Sequence, residues 1–431
     1  MNQRALVWQP TTPISLVLGS FLLYWVLAIT MVKLELVLPV RVWVLLVGLG
    51  SLLLLYRVQT ADLFNDNPHL PALGALTVIG VLTSLWGTLD WAGTLLMTIK
   101  WMLQPAMTFL FTLLICRLIG VRPVAQVFVL VIALTCTVAV MQGLDIQAAW
   151  DLKYRFETWQ GLDRDQVVAL EQVRGSGEFD DQYRARGLSY SPVHLGYQIA
   201  LVVALFYYAR SRAPQLQPFS PLVVKGLLVL LFAAAIFSGT RSTIGGLLLL
   251  WPAHLLLNGR NRGMGLMLVL AGIAIAPLLF VLAAQVLELR IFSTSDTSLA
   301  ARVPLSLLGL QLFLDNPLGH GWLVEASDLA DQYWHQLYRI NNAEVVVYRG
   351  IHNHAVKMLF VYGLLGAAVF LAYLLRLKRQ YGMAIWVALV PYAFHALFHN
   401  DGIFLGGNYI WVWLAMIHFD YLERRAHDQA D

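Results

Sequence analysis

An all-α polytopic membrane protein of about twelve transmembrane helices is what this sequence predicts, as a single integral membrane domain over residues 1–431. Three observations predict it. Hydrophobic residues make up 59% of the chain and charged residues 13%, where a soluble domain carries about 25% charged residues. Apolar windows long enough to cross a bilayer recur from one end to the other, with a mean hydropathy of +0.67. The positive charges sort to one side of those windows.

In order, the windows fall at about 14–32, 36–56, 70–88, 92–118, 123–143, 188–209, 221–238, 241–257, 264–285, 354–376, 383–399 and 403–421. With the N-terminus in the cytoplasm, the inside tips carry Arg4, Arg57, Arg117, Arg122, Arg210, Arg212, Arg260, Arg262, Arg376, Lys378, Arg379, Arg424 and Arg425. The short outside turns carry only Lys33 and Arg241. This positive-inside pattern puts both termini in the cytoplasm and both long loops, 144–187 and 286–352, outside. The first span reads as uncleaved, since no small-residue cleavage site follows it. The first loop is mixed in charge and reads as a partly helical cap. The second contains Leu299 to Phe313, apolar at helical spacing, which suits a helix on the membrane surface. Asp315-Asn316-Pro317 and Gly319-His320-Gly321 end it.

Composition also excludes. A net charge of +4 comes from arginines at loop tips and does not call for nucleic acid. Cys116 and Cys136 both lie in apolar segments and support neither a disulfide framework nor a metal cluster. Walker-type glycine loops and His-Glu-x-x-His are absent. Asp163-Arg164-Asp165 is the nearest approach to a metal-binding carboxylate pair, and alone it is a weak signal. The expectation is therefore chemistry with no cofactor, no metal and no ATP. A transporter is the reading from another class, but paired broken helices at matching places in two halves are not evident.

Two features carry chemistry. Gly350-Ile351-His352-Asn353-His354 sits where the second loop enters a span. An imidazole there titrates near neutral pH and can take a proton from a hydroxyl. The competing reading is an interfacial histidine that merely caps the helix. The second feature is three arginines on the wrong side for the positive-inside rule: Arg186, Arg241 and Arg302. Beside an outer-leaflet cavity such a charge marks an anion or ion-path site, and a guanidinium suits phosphate oxygens. Lys100 and Arg41 lie within apolar windows and suit a structural or phosphate-contacting role. His194, His395 and His399 read as packed histidines, and His320 as part of a tight turn between glycines.

His352-Asn353, nine residues, Gly363, two residues and Gly366 resemble the signature of the O-antigen ligases, within the O-antigen ligase and polymerase superfamily. Arg186-Gly187, Pro192 opening a span, Thr240-Arg241, Arg302 and Pro317-Leu318-Gly319-His320-Gly321 follow in the family's order. The departure is Ser191-Pro192-Val193-His194, where relatives often have asparagine after the proline. The resemblance implies a GT-C-like bundle in a bacterial inner membrane. It implies an inverting glycosyltransferase acting at the periplasmic face. The donor would be O-antigen polysaccharide on undecaprenyl pyrophosphate and the acceptor lipid A–core oligosaccharide. His352 would be the general base, and Arg186, Arg241 and Arg302 would hold the pyrophosphate. Asn353 would orient the donor or the imidazole, and Gly363 and Gly366 would allow close helix approach. An O-antigen polymerase or another lipid-linked oligosaccharide transferase shares this scaffold.

Overall fold

The computed structural model describes residues 14–31, 35–36, 38–56, 66–159, 184–257, 262–271, 302–339, 343–347 and 349–429. Arg4, Arg57, Arg260, the Asp163-Arg164-Asp165 carboxylates and the end of the 264–285 window lie outside the described residues.

The described chain is helical apart from a two-residue antiparallel pair, Glu35–Leu36 with Leu38–Pro39. Its principal helices are α1 (Ile14–Thr30), α2 (Val40–Tyr56), α3 (His69–Thr88), α4 (Trp91–Ile119), α5 (Val121–Gly143), α6 (Gln147–Trp159), α7 (Pro192–Ser211) and α8 (Pro221–Phe237). After these come α9 (Arg241–Leu257), α10 (Arg262–Ala271), α11 (Arg302–Asp315), α12 (His354–Tyr381), α13 (Met383–Ala396) and α14 (Tyr409–Asp428). Among the described residues, α3, α4, α5, α7 and α12 are long and apolar enough to cross a membrane. The helices α1, α8 and α9, at 17 residues each, reach about 26 Å at 1.5 Å per residue, short of the ~30 Å hydrocarbon core. The twelve expected windows each meet an apolar or buried helix, but length and composition qualify five of them as spans.

The bundle is built around α14. Its residues from Tyr409 to Asp420 are buried without a break, including Trp411 and Trp413. A helix covered on all sides is a core pole. Helix α4 lies against it, and α13 packs between α7 and α9. Helix α4 carries a π-turn over Ile99–Leu103 just before Pro105, whose missing N–H a widened turn accommodates. At the end of α12 that carries Lys378 and Arg379, buried polar groups satisfy one another. His69 bonds Tyr373 at 2.9 Å and Tyr381 at 3.0 Å, and Tyr381 bonds His418 at 2.8 Å.

Helix α12 is broken at Gly363, with φ 63° and ψ −161°, a conformation reached essentially by glycine alone. The loop segment 317–321 occupies the break. His320 N–H donates to the Phe360 carbonyl at 2.8 Å, Gly321 N–H to Val361 at 3.0 Å, and Leu364 N–H to the Pro317 carbonyl at 2.8 Å. The carbonyls that the break leaves without helical partners are thus satisfied by the loop. A Cβ on Gly363 would overlap the Leu318 carbonyl. The close approach expected at this glycine is therefore that of a loop backbone, not of a neighbouring helix. Gly366 does face a helix, with Leu76 of α3 beside it. Helix α11 forms where the apolar spacing predicts it. It buries Leu305, Leu308 and Leu312, and packs on α12.

Candidate active site

The starts of α7, α11 and α12 and the segment that follows α13 converge on a cavity of about 280 Å³. Ligand pockets run about 300–1,000 Å³, so this one suits the reacting groups rather than a whole lipid-linked chain. It is lined by Arg184, Ser191, Pro192, Val193, His194, Arg302, Leu305, Arg349, His352, His399, Asn400 and Asp401. Three guanidinium groups thus face one carboxylate.

His352 stands one residue outside α12. The helix is capped by its neighbour: the Asn353 side chain accepts from Val356 N–H at 3.1 Å. Capping therefore falls to Asn353 and leaves His352 available. The His352 Nδ1 lies 2.7 Å from the Gly350 carbonyl, to which it donates. In the uncharged ring this leaves the lone pair on Nε2. Burial is the main effect holding the imidazole below its ordinary value of 6.5. Arg302, Arg349 and Lys357 push the same way, against the Gly350 carbonyl, which favours the charged form. A neutral base with a fixed tautomer results.

The expected arginines separate. Arg302 opens α11, lines the cavity and holds its guanidinium carbon 5.6 Å from the centre of the Phe398 ring. Arg241 opens α9, half-buried, and is not among the lining residues. Arg186 turns away from the cavity. It is ion-paired with the buried Glu157 of α6, because a buried carboxylate needs a bonded cation. Its place is taken by Arg184, two residues earlier. The Arg184 Nε donates to the Ser238 carbonyl at 2.8 Å and Nη2 to Thr240 Oγ1 at 2.9 Å. The Ser238-Gly239-Thr240 turn that marked Arg241 in the sequence thus steadies a different arginine.

That segment is clamped from behind. Lys153 of α6 donates to the Ser189 carbonyl at 2.8 Å and lies 3.8 Å from Glu157. Burial, reinforced by Arg186 and opposed by Glu157, pushes the Lys153 ammonium down to about 7. On the far wall, Ser191 caps α7 and its Oγ lies 2.7 Å from His194 Nδ1, while His194 Nε2 is 3.7 Å from the Asp401 carboxylate. In the Ser191-Pro192-Val193-His194 segment the polar contacts are thus made by Ser191 and His194. His320, read as a turn residue, stacks on Phe360 and bonds the Leu312 carbonyl at 3.1 Å. Lys100 lies in the π-turn and is exposed.

The sequence reading missed Arg184, Arg349, His399, Asn400 and Asp401 at this cavity. Arg184 and Arg186 flank one alanine, and only the distant Glu157 decides between them. His399 ends the 383–399 window and reads as a packed histidine, and Asn400 and Asp401 fall in the short polar break before the next window.

Residues 226–371 match the family described as O-antigen ligase. That match supports membership of the O-antigen ligase superfamily. No curated protein matches the chain. The O-antigen ligase region contains Arg241, Arg302, Arg349 and His352, together with the broken helix at Gly363. Arg184, His194, His399 and Asp401 stand outside it and complete the same cavity. The matched family is one of sugar transferases that work on lipid-linked polysaccharide, and the apolar helices of this chain fit a multi-pass membrane protein.

Proposed function

We propose that this chain is an inverting O-antigen ligase. It transfers O-antigen polysaccharide from undecaprenyl pyrophosphate to lipid A–core oligosaccharide at the periplasmic face of the inner membrane. The observation that carries the reading is the His352 imidazole, its tautomer fixed by the Gly350 carbonyl, sharing a small cavity with three guanidinium groups. An acceptor hydroxyl gives its proton to His352 Nε2 as its oxygen attacks the anomeric carbon. The bond from that carbon to the pyrophosphate oxygen breaks, and the electron pair leaves on undecaprenyl pyrophosphate. Arg302, Arg349 and Arg184 neutralise the charge that grows there. Arg186 supports the loop through Glu157, and Arg241 opens the helix beside the Arg184-binding turn. The donor is already activated, so the scheme needs no ATP and no metal.

The test is donor binding and single-turnover transfer measured side by side on purified, membrane-inserted variants. His352→Ala should keep donor binding and lose about 10²- to 10⁴-fold in transfer rate, the usual worth of a general base. Near-normal transfer would end the assignment. In cells lacking the protein, lipopolysaccharide should stop at core bands while lipid-linked polymer accumulates. A ladder reduced to core plus a single repeat would instead identify a polymerase.

A further inference from the structure

Behind the cavity wall lies a line of buried polar side chains that the transfer chemistry above does not use. His399 lines the cavity, and its Nε2 is 3.1 Å from Ser242 Oγ. Ser242 Oγ is 2.9 Å from His395 Nδ1, and Thr243 Oγ1 is 3.2 Å from the same nitrogen. His395 Nε2 is 3.0 Å from the Val193 carbonyl. His395 is fully buried, and Ser242 and His399 nearly so. The room for it is made by Gly196 of α7, where a Cβ would run into both Thr243 Oγ1 and the His395 ring. Imidazoles inside a membrane bundle are costly and mark function by default.

The hydrogen-bond directions follow from the far end. A carbonyl only accepts, so His395 carries its proton on Nε2 and presents a lone pair at Nδ1. The Ser242 hydroxyl, nearer than Thr243, donates to that lone pair, so its oxygen accepts from His399 Nε2–H. In the uncharged ring the His399 lone pair then sits on Nδ1. The chain ends at an amide carbonyl, which cannot take a proton onward. It therefore orients a ring and does not conduct protons.

We propose that His399 accepts a hydrogen bond from a hydroxyl of the donor sugar attached directly to the pyrophosphate, with Ser242 and His395 as positioning residues that fix its ring. The inference rests on the ligase reading for the identity of the donor. The adjacency argues for the first sugar. Arg302 lies against Phe398, the residue before His399. A pyrophosphate held by Arg302 and Arg349 in a cavity of about 280 Å³ leaves its first sugar beside His399.

Two lipids separate the possibilities: bare undecaprenyl pyrophosphate, and the same lipid bearing one O-antigen repeat. Their affinities are measured on the full-length protein and on His399→Gln, His399→Asn and Ser242→Ala. Glutamine keeps a group near Nε2 for Ser242 but loses the acceptor at Nδ1, whereas asparagine keeps an acceptor near Nδ1. The preference of wild type for the repeat-bearing lipid should fall about five- to tenfold in His399→Gln, the worth of one neutral hydrogen bond. It should fall less in His399→Asn and in Ser242→Ala. Affinity for the bare lipid should be unchanged in all three, which also reports that they fold. An unchanged preference in His399→Gln, or equal losses on both lipids, would overturn the proposal. Failure of wild type to bind either lipid would remove the ligase reading and this inference with it.

Discussion

At the scale of the residue, His352 is decided by two hydrogen bonds. Asn353 takes the capping role, and the Gly350 carbonyl accepts a hydrogen bond from Nδ1–H, which holds the proton on that nitrogen. The histidine and Arg302 were legible because each sits at a loop-to-helix junction. Arg184 was not, because its partners, Ser238 and Thr240, lie more than fifty residues away. A pH profile follows from the direction of the His352 shift. A base must be unprotonated, so the rate rises with pH and levels off above the histidine's value. Burial and three cations depress that value, so the midpoint of the rise should lie below 6.5. Single-turnover rates between pH 4 and 8 would measure it, and a midpoint above 6.5 would contradict the environment described. Arg184→Lys should weaken donor binding as well as transfer, since an ammonium cannot reproduce two donors aimed at Ser238 and Thr240.

At the scale of the element, apolar periodicity placed the helices well and misjudged what joins them. Leu299 to Phe313 was read as a helix, and among the described residues one runs over Arg302–Asp315. Gly363 and Gly366 read as a helix-packing stripe. The first proves to be a break, because a positive φ leaves no trace in hydropathy. Gly363→Ala should therefore destabilise by more than the ~1–3 kcal/mol of backbone strain alone, as a lower melting temperature and as new protease cleavage near 317–322. Gly74 of α3, with nothing within 4 Å of its Cβ position, offers the control for a harmless glycine-to-alanine change. The clamp on the first loop gives a second test. Lys153 has a folded value near 7 against about 10.4 when unfolded. The unfolded chain binds the extra proton between those values, so stability should rise with pH across that window and fall as pH drops toward 7. Lys153→Met should flatten that slope in thermal melts.

At the scale of the whole molecule, the 28 residues of α12 reach about 42 Å at 1.5 Å per residue, enough to cross the ~30 Å hydrocarbon core. The cavity and the Lys378-Arg379 end then lie on opposite sides. A cysteine at Asp331 should react with a membrane-impermeant thiol reagent from the periplasm, and one at Lys378 should not. Labelling at Lys378 with silence at Asp331 would invert the orientation and the reaction scheme with it. The orientation rests on the arginines, which crowd one set of loops, and the labelling experiment tests it. The shape of the cavity was not legible, since it is assembled from three helix starts and the segment after α13, which only packing brings together.

The break at Gly363 has a mechanical consequence. Three backbone bonds tie residues 360–364 to the loop at 317–321, so the two turns that aim His352 belong to the loop's rigid body, and the break gives the remainder of α12, with the helices packed on it, a joint at which to lean. Lipids with longer or shorter tails make a helix lean to match them. That lean is taken up below the glycine, at the joint, and the imidazole keeps its distance from the guanidinium groups. Transfer rates in vesicles whose acyl chains differ by several methylenes should stay level. In Gly363→Ala they should come to depend on chain length, as a stiff rod would pass the strain of the bilayer straight to the reacting atoms.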